Sequence, residues 1–228
     1  MNPSSRVRTT IRLAMGRLTQ CYEDLRDHPN LPAVYPEYLV LSHMIVRASV
    51  PLMEEARQRA SNLGDSLGDG LASYLDEHIP EERDHDEWAL DDLAALGLAR
   101  ADVLARMPPP SVAAMVGAQY YWVRHHHPIA ILGYLAVVEG YPAPPEEIEG
   151  MAARSNLPPS AFSTWARHAA LDPGHNRELD ELLDILPLGE REVRSICTSA
   201  IATIRYSNTV FAELLERHPV AGSRPGGR

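Results

Sequence analysis

Between Leu188 and Arg217 the side chains of Val193, Ile196, Ala200, Ile204, Ser207 and Phe211 recur at intervals of three and four. That spacing places them along one face of an α-helix. A helix of this length runs about 45 Å, and its apolar stripe needs partner helices along the whole of it. The same period returns upstream. Ile11 to Arg26 carries Ile11, Met15, Leu18, Tyr22 and Leu25 on one face, and Tyr38 to Asn62 carries Leu41, Ile45, Ala48 and Leu52. Pro51 either kinks that second helix or divides it. Leu71 to Leu98 reads as a long helix bent near Pro80, with Gly97 as its stop. Ser111 caps a helix over Ala113–Arg124, Ile129–Glu139 continues it, and Pro158–Leu171 is helical. No segment alternates apolar and polar residues between turn signals, so no sheet is expected. The pattern predicts an all-α, single-domain bundle of about seven to nine helices. Residues 1–10 are expected to be a flexible N-terminus, 11–217 the helical domain, and 218–228 a disordered tail.

Charge and composition exclude several functions. The formal net charge of −10 opposes a phosphate-tracking surface and an anionic membrane, so neither nucleic acid nor membrane is an expected partner. The chain has no lysine, which removes Schiff-base chemistry and a Walker-type phosphate site. Two cysteines, Cys21 and Cys197, far apart in sequence, point to a reducing compartment and not a disulfide framework. The first twenty residues lack the apolar core of a signal peptide, and no apolar run is long enough to span a bilayer. A cytoplasmic location is expected.

The polar residues that the helical pattern places inside are more informative. His168, Asp172 and His175 stand at i, i+4 and i+7 on one helix face. A single buried histidine is commonly a hydrogen-bonded core residue, but three polar side chains on one face, buried without partners, would cost several kcal/mol. Metal ligation meets that cost. Asp172-Pro173 also reads as an N-cap with proline at the first helical position, so Asp172 either caps a restarted helix or faces a metal. Glu82 and His85 form an E-x-x-H pair, the half-site that recurs in carboxylate-bridged di-iron bundles. His78 lies one turn before Glu82 and shares its face. Glu81 points about 100° away, toward solvent or behind the ligands. Glu139 ends an apolar run, where a carboxylate opposes the helix dipole unless something positive compensates. Neighbours in His125-His126-His127 diverge by about 100° each and cannot share one ion. His28, His43 and His218 are weaker candidates. Glu82, His85, Glu139, His168, Asp172 and His175 supply three carboxylates and three imidazoles, a mix suited to iron.

The blocks H-I-P-E-E-R-D-H-D-E-W at 78–88, D-D-L-A-A-L-G at 91–97, P-I-A-I-L-G-Y-L-A-V-V-E-G at 128–140 and H-A-A-L-D-P-G-H at 168–175 resemble the heme-oxygenase-like di-iron oxidases, also called iron-containing redox enzymes. The resemblance implies the heme-oxygenase-like bundle, shared with thiaminase-like proteins. It also implies six metal ligands, namely Glu82, His85, Glu139, His168, Asp172 and His175. Members often have a further glutamate, either seven residues before the first histidine ligand, where this chain has His78, or on the preceding helix, where Glu55 and Glu54 stand. The activity implied is that of an O2-activating non-heme di-iron oxidase or oxygenase, with two iron ions per chain and O2 as co-substrate, passing through a peroxo-di-iron species. Family substrates are amino acids, amines or fatty acids, in biosynthetic reactions. Tyr120, Tyr121 and Arg124 lie on the helix leading to the metal region. Tyr120 and Arg124 are substrate-binding candidates, Arg124 through a bidentate carboxylate contact or else as a surface ion pair. The expected partners are a small-molecule substrate and a second copy of the chain, as a homodimer. Two other classes compete. One is a metal-free enzyme of the thiaminase or cofactor-synthesis type, whose hydrolases need a placed cysteine, here Cys197. The other is a non-catalytic binding protein that uses the same residues as a buried hydrogen-bond network.

Overall fold

The computed structural model describes residues 1–220. Among them are eleven α-helices: α1 Pro3–Ala14, α2 Gly16–Arg26, α3 Leu31–Ser61, α4 Ser66–Glu82, α5 His85–Ala95, α6 Arg100–Leu104, α7 Pro110–His125, α8 Ile131–Val138, α9 Pro145–Ser155, α10 Ser163–Ile185 and α11 Glu190–Arg217. Short 3-10 turns at Pro128–Ala130 and Pro159–Phe162 precede α8 and α10. No strand is present among the described residues. The chain is the all-α bundle that the periodicity predicts. Its helix count exceeds the expected seven to nine because α1/α2 and α4/α5 are separate pieces of stretches that read as single helices.

α11 is the central pillar. Val193, Ile196, Ala200, Ile204, Val210, Phe211 and Leu214 are buried along it, packed on α8, α1, α7 and α2. α8 is buried on every side from Ile131 to Val137. It lies against α11 closely enough that a Cβ on Gly133 would fall 2.1 Å from the Ile196 carbonyl. A glycine is required there so that the two backbones can meet. The buried Gln119 amide joins α7 to α11, accepting from Ser199 Oγ at 2.8 Å and donating to Thr203 Oγ1 at 3.1 Å.

Three sequence expectations change. Residues 1–10 are not a flexible leader. α1 starts at Pro3 and buries Val7 and Ile11, and Asp184 accepts from the Ser4 backbone N–H at 2.9 Å. The short apolar period Val7–Ile11 was hidden by polar neighbours. Prolines also break fewer helices than expected. α3, α4 and α10 run unbroken through Pro51, Pro80 and Pro173. Each of these prolines is exposed, so the carbonyl freed one turn earlier lies on the solvent side, where water can satisfy it. Asp172 therefore does not cap a restarted helix. The 71–98 stretch instead breaks at Arg83-Asp84. Of the expected disordered tail 218–228, residues 221–228 lie outside the described residues. No helix among the described residues is long and apolar enough to cross a membrane.

Candidate metal centre

Three chain segments converge beside the core. α4 carries His78 and Glu82 one turn apart on a buried face. Arg83 is extended and Asp84 takes the left-handed conformation, φ 67°. This costs a non-glycine residue roughly 1–2 kcal/mol, and it turns the chain so that His85, the first residue of α5, faces back on Glu82. α8 ends at Val138 and hands over Glu139, whose carboxyl is buried. α10 presents His168, Asp172 and His175 on one face, as their spacing predicts.

The donors form two clusters that share one carboxylate. His78, Glu82, Glu139 and His175 each offer an atom within 4.8 Å of the others, and so do Glu82, His85 and His168. In the first cluster His78 Nε2 lies 3.3 Å from Glu139 Oε1. His175 Nδ1 lies 3.3 Å from Glu82 Oε1 and 3.6 Å from Glu139 Oε2. In the second, His85 Nδ1 is 3.1 Å from Glu82 Oε2, and the His85 and His168 rings stand at 87° with centroids 5.2 Å apart. Most of these contacts lack hydrogen-bond alignment. Glu82 Oε1, Glu139 Oε2, His85 Nδ1, His175 Nδ1 and Asp172 Oδ1 are all buried without a hydrogen-bond partner. Leaving so many polar atoms unsatisfied is expensive. Inward-facing lone pairs of carboxylates and imidazoles are what a divalent cation would satisfy, so this donor set fits a metal pair.

The electrostatics agree. Burial, then the facing carboxylates of Glu139 and Glu82, pushes the Asp172 carboxyl up to about 8. Burial likewise raises Glu139, against the pull of His78. For Glu82, burial works upward but the contact with His85 and the charges of His78 and His175 outweigh it, and the carboxyl ends below its ordinary range. Burial lowers His168 and favours the neutral imidazole that a metal requires. For His78, burial works downward, but the contact with Glu139 and the charges of Glu139, Glu82 and Glu81 together outweigh it, and the imidazole moves up.

Residues behind the donors fix their orientation. His168 Nδ1 donates to the Thr164 carbonyl at 2.9 Å, leaving Nε2 to face the cluster. Asp92, fully buried on α5, accepts from Thr164 N at 2.9 Å and Ser163 Oγ at 2.6 Å. It thereby ties the start of α10 to the helix that carries His85. Asn176 Nδ2 donates to the Glu139 carbonyl at 2.9 Å, and Arg8 links α1 to Asp180 at 2.8 Å and to the Asn176 and Ala136 carbonyls at 3.2 Å each. Trp88 packs on His85 with centroids 3.7 Å apart and beneath the Arg167 guanidinium. Sequence reasoning assigned no role to Asp92, Asn176 or Arg8. Asp92 falls in the 91–97 block, where only its apolar helix pattern gave a clue.

Of the candidate residues, Glu82, His85, Glu139, His168 and His175 are brought together, and His78 joins them. Asp172 is buried beside them with its Oδ1 free. Glu55 is placed elsewhere, with its carboxylate held by Arg59 at 2.9 Å and Arg124 at 3.1 Å. Glu54 accepts from Arg83 at 3.4 Å. Arg124 also lies over the Tyr120 ring, 5.0 Å from its centroid. It borders a surface cleft of about 430 Å³ walled by Glu55, Gln58, Arg59, Val123 and Pro128, none of them a cluster residue. His126 bonds Ser195 at 2.9 Å, and His127 Nδ1 accepts from the Ile129 backbone. His43 is fully buried on α3 outside both clusters. Cys197 accepts from the Thr10 hydroxyl at 3.5 Å, also outside them.

The model of the family described as iron-containing redox enzyme matches residues 30–207, a span that contains every donor. No curated protein matches the chain. Among solved structures, a domain of unknown function with a heme oxygenase-like fold from Shewanella denitrificans OS217 is similar at TM-score 0.80. It has 18% identity, covering 96% of this chain and 94% of that one. A TenA homolog from Pseudomonas syringae pv. tomato str. DC3000 is similar at TM-score 0.71. It has 12% identity, covering 93% and 92%. At these identities the likeness establishes the heme-oxygenase-like fold.

Proposed function

The chain belongs to the iron-containing redox enzymes, and from that premise we propose that it is a non-heme di-iron oxidase or oxygenase acting on a small organic molecule. The observation that carries this reading is the pair of donor clusters joined through Glu82, buried except for the half-buried His168. One ion would be held by His78, Glu82, Glu139 and His175. The second would be held by Glu82, His85 and His168, with Asp172 as the remaining donor beside them. Ferrous ions held there supply the electrons and open coordination positions with which O2 is activated toward oxidation of a substrate.

The chain's own contribution is to hold and to shield. Glu82 ties the two sets together, and the Thr164 carbonyl fixes which nitrogen His168 turns inward. Metal and proton compete for Asp172, whose carboxyl holds a proton up to about pH 8 in the metal-free chain. Tyr74 stacks on His78 with centroids 5.2 Å apart and Trp88 packs on His85, which keeps bulk water from the reacting groups. Amino acids, amines and fatty acids are the substrate classes to which the family resemblance points. The test is O2 uptake by the Fe(II)-loaded chain over panels of these three classes. At least one class should accelerate uptake and leave an oxidised product. Uptake no faster than that of free Fe(II), across all panels, would refute the reading.

A further inference from the structure

Glu81 adjoins the donors without being one of them. It lies in the last turn of α4, half in solvent, its side chain 53% exposed. Its Oε2 lies 3.7 Å from His78 Nδ1 and also 3.7 Å from His175 Nε2. The other nitrogen of each ring points inward, His78 Nε2 to Glu139 and His175 Nδ1 to Glu82 and Glu139. The two rings are nearly perpendicular, at 84° with centroids 4.8 Å apart. They therefore present opposite nitrogens to the cluster and opposite nitrogens to a single carboxylate oxygen. Proximity to His78 alone would be unremarkable, since the two are three residues apart on one helix. The same oxygen also meets a ring from α10, and that is not a consequence of helix geometry.

A histidine that binds a cation through one nitrogen carries its proton on the other, and the partner of that N–H sets which nitrogen is which. We infer that Glu81 is a positioning residue of the metal centre. Its carboxylate accepts the Nδ1–H of His78 and the Nε2–H of His175, so that His78 ligates through Nε2 and His175 through Nδ1. The 3.7 Å separations exceed hydrogen-bond length, and the exposed end of Glu81 is free to close them. A cation on the inner nitrogens makes the outer N–H groups stronger donors and favours that closure. The inference rests on the metal-centre reading above.

Zn(II), which is diamagnetic, is the probe. Nitrogen-15 NMR of the Zn(II)-loaded full chain should report His78 protonated at Nδ1 and His175 at Nε2. The Glu81→Ala variant should bind Zn(II) roughly 10- to 100-fold more weakly and lose the shifts of both outer N–H groups. Glu81→Gln keeps one acceptor oxygen and should recover part of the affinity. Glu81→Ala with wild-type affinity and unchanged N–H shifts would overturn the role of Glu81 alone, as would both rings binding through the same type of nitrogen. A wild-type chain that binds neither Zn(II) nor Fe(II) would overturn the metal centre as well.

Discussion

Replacing Asp92 by alanine should loosen the helix that carries three of the seven donors. The carboxyl is fully buried and accepts from Thr164 N and Ser163 Oγ at the first turn of α10. Without it the buried Thr164 N–H has no partner, at a cost of about 1–3 kcal/mol. The half-buried Ser163 hydroxyl can turn to water and adds about 0.5–1.5 kcal/mol. Together these place the destabilisation at about 1.5–4.5 kcal/mol, somewhat above a typical N-cap loss. For a chain of this size that lowers Tm by about 3–18 °C. Urea unfolding followed by circular dichroism measures it on the metal-free protein, where metal affinity cannot contribute. Ser163→Ala, which leaves the Thr164 bond in place, should cost less than half as much. A loss under about 1 kcal/mol for Asp92→Ala would refute the cap as the anchor of α10, because it would fall below the minimum for one orphaned buried N–H.

Asp172 makes a contribution of its own to the pH dependence of the metal-free fold. Its folded value, about 8, lies above the 3.8 of an ordinary aspartate. The folded chain thus keeps a proton that the unfolded chain has lost, and stability falls as pH rises from about 4 to 8. Asp172→Asn should flatten that decline by up to about 1.4 kcal/mol per pH unit, measured as the difference between the two urea-stability curves; parallel curves would contradict it. Gly133→Ala forces a Cβ against the Ile196 carbonyl and the Ala200 nitrogen, at 2.1 and 2.8 Å. It should destabilise by about 1–3 kcal/mol or more, read as a lowered urea midpoint. Glu55→Ala should leave iron stoichiometry unchanged, because Arg59 and Arg124 hold that carboxylate away from the donors; metal analysis after desalting would expose a loss.

Helical periodicity made the bundle legible, since residues like Val193, Ile196 and Ala200 of α11 carry a strong 3.6-residue signal. The face formed by His168, Asp172 and His175 was legible for the same reason, as was the shared face of His78 and Glu82. Proline punctuation misled at Pro51, Pro80 and Pro173. Sequence marks the lost N–H but not whether the freed carbonyl faces water, and that depends on packing. The true break at Arg83-Asp84 had no glycine or proline to announce it. Whether His78 or Glu55 would stand with the donors was likewise undecided in sequence. Glu55 sits at an apolar-face position of α3, and only the tertiary structure brings Arg124 of α7 to meet it. Asp92, Asn176 and Arg8 act through contacts between distant segments, which no local pattern encodes.

Anaerobic titration of the metal-free chain with Fe(II), followed by Mössbauer spectroscopy, tests the central claim most directly. The two clusters predict two bound ions per chain, and His85→Ala should remove only the ion held by Glu82, His85 and His168. Glu82→Ala, which strips a donor from both sets, should leave less than one. A wild-type chain that retains no iron, or a Glu82→Ala chain that still holds two ions, would contradict the account.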